Sequence, residues 1–600
     1  MAYAFHGYFL FPCLMKRTFI LLLLSLHTVI ATGQMHDALW LYGRHSAFGD
    51  PDYGSSVLDF STEPPIAYKQ EREMNLNVTV SSICDSTGNL LFYTNGAWIA
   101  NFTHEMMENG DSLNPGEVTW DNYYSGLTVA QSHIILPMPE NPGKYYLFHE
   151  RLDYHDVFVL AVNPCYYSVI DMNQNNGLGK VEEKNVVIVN DTTKTFGKIT
   201  AVKHANGRDW WVLFPQKAKN IFYRFLFSPD GVGDLLIQNL SPPYPWPPLN
   251  SNAFIAFSPD GSKLARYEIQ HGLYLYDFDR CTGLVENNPL FISIPGTELG
   301  GGVAFSPNGR FIYMASSTFI LQLDLWSPNI AASLETVAVW DGFIAPNGLS
   351  TTFFAMQPGP DGRIYFNTNN GTKYLHYINR PNKQGESCQV VQHGIELPFY
   401  NIFTSPNFPN YRLGPLDGSP CDTLGIDNHP LAGFRYEVDT IEPLLVEFTD
   451  NSFYEPTEWL WDFGDGAGSA EVNPLHEYSG PGTYTVCLTV SNQYDSDTFC
   501  REVAVGTTGA EEALPGKGFK IFPNPAHSSI HIAAQFPTAY AGTVSLSVYN
   551  ILGKPLWQQA LQVAGGEIQT SVDVSTWPPG VYFISLEAGG QAWMEKVVVR

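Results

Sequence analysis

The residues best suited to chemistry lie in two histidine-bearing stretches, and neither has the spacing that a reaction needs. His104-Glu105-Met106-Met107-Glu108 begins like a zinc-protease helix, but Glu108 stands where a second imidazole must share the helix face. In FHERLDYH, His149, Asp153 and His155 fall at even spacing, so a strand would place them on one face, where they could gather a metal. The same geometry describes scattered polar residues along a strand edge, which is the commoner use of such a pattern. DPDYG at Asp50 and DFD at Asp277 offer oxygen ligands without the terminal bidentate glutamate of a calcium loop. No cofactor is therefore expected; structural calcium is the one ion that an acidic chain leaves open, unassigned to residues. A G-x-S-x-G elbow is absent, and NNGLGK at Asn175 lacks the spacing of a phosphate loop.

What remains is surface and cross-linking. SPPYPWPPLN, Ser241 to Asn250, cannot form a strand, and its Tyr244 and Trp246 make it a candidate ligand-contact loop, suited to stacking on sugars or capturing a partner segment. Cys487 and Cys500 flank Gln493-Tyr494 symmetrically, so a hairpin turning there sets them opposite each other, at a separation a disulfide can span. With Cys13 removed in a leader, the eight cysteines of the sequence come down to an odd seven, which include Cys84, Cys165, Cys281, Cys388 and Cys421, and none stands in a C-x-x-C arrangement.

The elements that must position these residues are strands. The 600 residues exceed what one core serves, so several domains are expected. Charged residues make up only 15% while aromatics reach 14%, with 52 Gly and 42 Pro; this balance suits short strands and tight turns, and long amphipathic helices are hard to find. With 59 acidic against 32 basic residues, the net charge of -27 argues against nucleic acid or an anionic membrane as partner. Lys16 and Arg17, the apolar run from Thr18, and Ala31-Thr32-Gly33 read as a signal peptide over residues 1–33, with Met15 as an alternative start. That leader implies export, and no later stretch is long enough for a membrane-spanning segment.

A glycine turn followed at once by an apolar strand recurs at Gly88, Gly143, Gly207, Gly261, Gly309 and Gly362, at intervals of roughly fifty residues. Several turns repeat one phrase: SPDG at Ser228 and Ser258, SPNG at Ser306, GPDG at Gly359. A four-stranded sheet per repeat makes residues 34–427 a β-propeller, of seven blades if ALWLYG at Ala38 joins the end of the domain, otherwise of six. These turns resemble those of TolB-like and WD-repeat propellers. The whole span, through GNLLFYTNG at Gly88, LYDFDRCTG at Leu275 and NYRLGPLDGSPCD at Asn410, resembles the propeller of large secreted Bacteroidetes proteins.

Downstream, WLWDFGDG at Trp459 and the alternating strand from Tyr484 to Val490 read as a small sandwich, with Tyr484 placed for a tyrosine corner and Asp462 and Asp465 as turn formers. These motifs resemble the PKD domain, an immunoglobulin-like module, over 428–505. A linker, 506–518, follows. Residues 519–600, with PNP at Pro523, N-I-L-G-K at Asn550, G-V-Y-F at Gly580 and Lys596, resemble the C-terminal sorting domain of type IX secretion cargo.

That resemblance implies export to the cell surface or the extracellular space and the type IX machinery as partner. It also implies O-glycosylation after Asp at Ser86, Thr192, Thr423 and Thr440. The expectation is an all-β, non-catalytic surface binding or adhesion protein whose propeller is the platform for a glycan or surface-protein ligand. The alternatives are a propeller enzyme, such as a glycosidase, lyase or peptidase, and a structural part of the surface or gliding apparatus.

Overall fold

The structure is a computed structural model, and it describes residues 35–44, 52–156, 159–190, 198–216, 221–240, 253–269, 271–294, 301–439, 441–506, 520–522, 529–535, 542–550, 554–563, 567–578, 580–588 and 591–599. The fold is all-β. The chain divides into two compact units that part after Arg412.

In the first unit the glycine turns do what their spacing asks. In SPDG, the Asp260 carboxylate accepts the Ser258 hydroxyl proton and the Ser262 N–H, and Ser258 Oγ accepts the Lys263 N–H at 2.9 Å. Asn308 and Ser306 repeat these bonds in SPNG. Gly261 and Gly309 take φ of 71° and 69°, where a Cβ would be strained. Each of the six turns joins the first two strands of a sheet, whereas SPDG at Ser228 serves a later hairpin, between Ile221–Ser228 and Gly231–Val232.

The described strands make seven consecutive antiparallel sheets, each meandering from its first strand outward. Their first strands are Leu39–Gly43, Ser81–Cys84, His133–Pro137, Thr200–Lys203, Ala253–Phe257, Val303–Phe305 and Phe353–Pro358. Ser81–Cys84 packs against both Leu39–Gly43 and His133–Pro137, and the last four first strands pack in sequence, each on the next. The final strand, Val390–Asn401, packs on all three strands of the first sheet. Trp40, Phe60 and Tyr365 form a mutual aromatic contact there, with centroids 4.8 to 5.6 Å apart.

The segment after Asn401 returns to the beginning of the unit. Phe408 packs on Trp40, the Tyr411 hydroxyl donates to Ile135 O, and Arg412 pairs with Asp37. Asn407 Nδ2 donates to His133 O, on the same strand as Ile135, and to Ile199 O, just before the first strand of the fourth sheet.

The second unit contains two sandwiches. In the first, Phe434–Val438, Leu445–Asp450 and Leu475–Glu477 face Gly468–Ser469, Glu458–Asp462, Gly482–Ser491 and Ser496–Val505 across a core of Phe448, Trp461, Val486, Leu488 and Val503. The Tyr484 hydroxyl donates to Gly480 O at 2.9 Å, closing a tyrosine corner. The Asp462 and Asp465 carboxylates accept N–H groups two residues on, from Gly464 and Ala467, so both are turn formers. Cys487 and Cys500 are in register across the hairpin and joined by a disulfide. The last sandwich has sheets of three and four strands around Ile532, Val544, Leu546, Ile584 and Val597.

Candidate functional site

The histidine-bearing stretches have structural partners. His104 sits in a tight turn at φ 72°, with its Nδ1 3.2 Å from the Tyr93 hydroxyl, and Glu108 is ion-paired with Lys180. His149 and Asp153 both lie under the segment Asn114–Gly116, where His149 is buried and Asp153 pairs with Arg151. The His155 side chain lies outside the described residues. Asp277 pairs with Lys263. Among the described residues no group of three His, Cys, Asp or Glu is placed to hold a metal. Ser86 is half-buried and Thr423 exposed. Tyr244, Trp246, Thr192 and Thr440 lie outside the described residues, as do the leader and most of the linker.

Asn114 organises the buried side of the third sheet. Its Nδ2 donates to Gly96 O and to His133 Nε2, each at 3.0 Å, and its Oδ1 accepts the His149 Nδ1 proton at 2.7 Å. His133 Nδ1 then donates to Ser132 Oγ, and His149 Nε2 accepts from Ser168 Oγ. Burial pulls both imidazoles far below their ordinary range, His133 to about 3, so they stay neutral and each ring nitrogen keeps one role. The network is satisfied throughout, which makes it an anchor for the third sheet.

A charged group is buried where Lys198, just before the fourth sheet, meets the second strand of the fifth sheet. Arg266 Nε donates to Glu268 at 2.8 Å, and Lys198 Nζ lies 4.0 Å from the same carboxylate. Burial pushes the Glu150 carboxyl up to about 8, against the pull of Lys198, and its Oε2 has no hydrogen-bond partner.

Asn114 also fixes what lies outside it. Its carbonyl accepts the Thr119 hydroxyl, and its N–H donates to Asn185 Oδ1. Leu113, Val118 and Thr119 are buried beneath the short helix Glu117–Asp121. Asn75 Nδ2 donates to Tyr124 O at 2.6 Å, and Leu127 N–H to Asn95 O, so the backbone is tied down on both sides. On that support the rings point outward. Trp120 is 53% exposed, Tyr124 84% and Tyr154 49%.

Trp120 and Tyr123 stack with centroids 6.1 Å apart, and Tyr124 stands edge-on to Tyr123 at 5.5 Å. The Tyr154 hydroxyl donates to Asp121 at 3.0 Å, a bond that raises its pKa. We call this group the aromatic ledge. Its sequence signal was three rings within WDNYY, in a stretch too rich in Pro, Gly and Asn to read as a strand.

Residues 520–600 match the family model of the secretion system C-terminal sorting domain, and residues 432–506 that of the PKD domain. Pre-pro-metalloprotease PrtV of Vibrio cholerae is 34% identical over 82 residues, 14% of this chain and 9% of that protein. This chain therefore spans less than a tenth of the length of that relative. The PKD1 domain of Vibrio anguillarum Epp is similar at 32% identity over 13% of this chain and 95% of the domain, with a TM-score of 0.13. The periplasmic gluconolactonase PpgL of Pseudomonas aeruginosa is 13% identical over 61% of this chain and 96% of its own, with a TM-score of 0.32. The chain carries a PKD domain and a type IX sorting domain, and is a cargo of type IX secretion bound for the cell surface or the extracellular space.

Proposed function

We propose that this protein is a surface binding or adhesion protein with a seven-bladed propeller, residues 34–427, as its ligand platform. The PKD domain, 428–505, is the spacer, and 519–600, joined through the linker 506–518, engages the type IX machinery. Seven consecutive meandering sheets, with the last strand packed on the first sheet, support the propeller reading. The observation that carries the binding reading is the ledge, where large rings lie open to water on a backbone held by hydrogen bonds with Asn75 and Asn185. Removing such surface from water on binding costs little ordering, because the support is already rigid.

The test is adhesion of cells displaying the protein to a surface coated with their extracellular matrix. Joint replacement Trp120→Ala and Tyr124→Ala is expected to lower retention on the order of tenfold, while the melting temperature stays within about a degree, as for exposed side chains. Retention equal to wild type would overturn the reading.

A further inference from the structure

We infer that the ledge takes an amino-sugar glycan, with sugar faces on Trp120 and Tyr124 and a ring ammonium held by Glu117 and Asp121. The inference rests on the binding reading and names the ligand of that same site.

The rings select the shape of the ligand. A pyranose with equatorial substituents presents a flat face of C–H groups, which packs on an exposed indole or phenol ring; the polar hydroxyls at its edge remain in water. Trp120 and Tyr124 are on neighbouring turns of one short segment, with Tyr123 between them in contact with both. Successive sugars of one chain can therefore meet successive rings. A free monosaccharide would use only one of them.

The charges select the chemistry. Glu117 and Asp121 open and close the helix that carries Trp120, and both are exposed. Asp121 accepts from the Tyr154 phenol, which brings no opposing charge. The other charged groups around the ledge come in pairs: Asp153 with Arg151, and Asp111 with Lys184 at 3.0 Å. Among the described residues the local balance is therefore two negative charges with no ion-pair partner, beside electron-rich ring faces. Both features attract a cation and repel sulfate or uronate. A glycan bearing 2-amino groups supplies the flat face and the ammonium together.

The test uses the full mature chain and three probes: an oligomer of β-1,4-linked glucosamine, its fully N-acetylated counterpart, and heparin. Binding to the glucosamine oligomer is expected, weakened by on the order of tenfold in Trp120→Ala and in Tyr124→Ala. Trp120→Phe, which keeps an aromatic face, is expected to recover most of it. Glu117→Gln with Asp121→Asn is expected to bring the glucosamine oligomer down to the level of the N-acetylated one, without changing the latter. Heparin is expected not to bind.

Absence of glucosamine binding in the wild type, binding that survives loss of both rings, or equal binding of heparin would each overturn the inference. If cell retention still depends on Trp120 and Tyr124 while the glucosamine oligomer does not compete, the ligand class is wrong and the platform reading stands. If retention is indifferent to both rings, the platform reading itself falls.

Discussion

Glu150 is buried with a carboxyl oxygen that has no hydrogen-bond partner among the described residues. A glutamate in an unfolded chain loses its proton near about 4.3, whereas burial holds Glu150 protonated to about 8. Between those values the native state keeps a proton that the unfolded chain has released, so this contribution to stability is present at low pH and is lost as pH rises through 8. Lys198 offsets part of the cost. Relative to wild type, Glu150→Gln is expected to have nearly the same stability at pH 4.5 and to gain steadily up to about pH 8, by at most about 5 kcal/mol. A difference between the two proteins that does not change with pH would show that Glu150 is not held neutral. Little of this was legible in the sequence. His149 stood out as a possible metal ligand because its local spacing was visible, while the partner that makes it structural, Asn114, is 35 residues away, and Asn185 is 71 from Asn114.

Elements were more legible than residues, because their signals are local. A glycine with positive φ followed at once by an apolar run marks one kind of turn, and its recurrence located the first two strands of six sheets. In two of them, at Ser258 and Ser306, an Asp or Asn two residues past the serine accepts the N–H that closes the turn. The aromatic loop chosen from composition, Tyr244 and Trp246, lies outside the described residues. The ledge escaped notice because its rigidity comes from bonds to Asn75, Asn95 and Asn185, none of them adjacent in sequence. In the PKD sandwich the hairpin of Gly482–Ser491 and Ser496–Val505 is cross-linked between Cys487 and Cys500, and Cys500 is exposed to reductant. The enclosed loop is short, with a sequence separation of 13. Opening it in Cys500→Ser is expected to destabilise this sandwich by about 3 kcal/mol, from the chain entropy returned to the unfolded state. Calorimetry of the full chain would read this as a lower midpoint for the PKD transition alone, and dithiothreitol should lower the wild-type midpoint to match. A transition that dithiothreitol leaves unmoved would mean that the bond does not restrain the fold.

At the scale of the molecule, composition announced an all-β chain, and the sorting signal was legible because its motifs keep their order near the C-terminus. The sorting sandwich closes its own core around Ile532, Val544, Leu546 and Ile584, and its strands pair only among themselves among the described residues. The Tyr582 hydroxyl donates to Pro578 O, the same four-residue step that Tyr484 makes to Gly480 in the PKD sandwich. A module with a private core and its own corner can be removed without exposing apolar surface elsewhere. Deleting residues 519–600 is therefore expected to leave the melting of the remaining chain within about a degree of its value in the whole protein, since the PKD core is a cluster of its own residues. Residues 1–33, read as a signal peptide, would then carry that protein to the periplasm, and the address for the next step would be missing. Fractionation of cells should then find the truncated protein in the periplasm, and grafting 519–600 onto a periplasmic reporter should send the reporter outward. Normal surface levels of the truncated protein would mean that 519–600 is not the export signal in this chain, and the sandwich would have to be a second binding module instead.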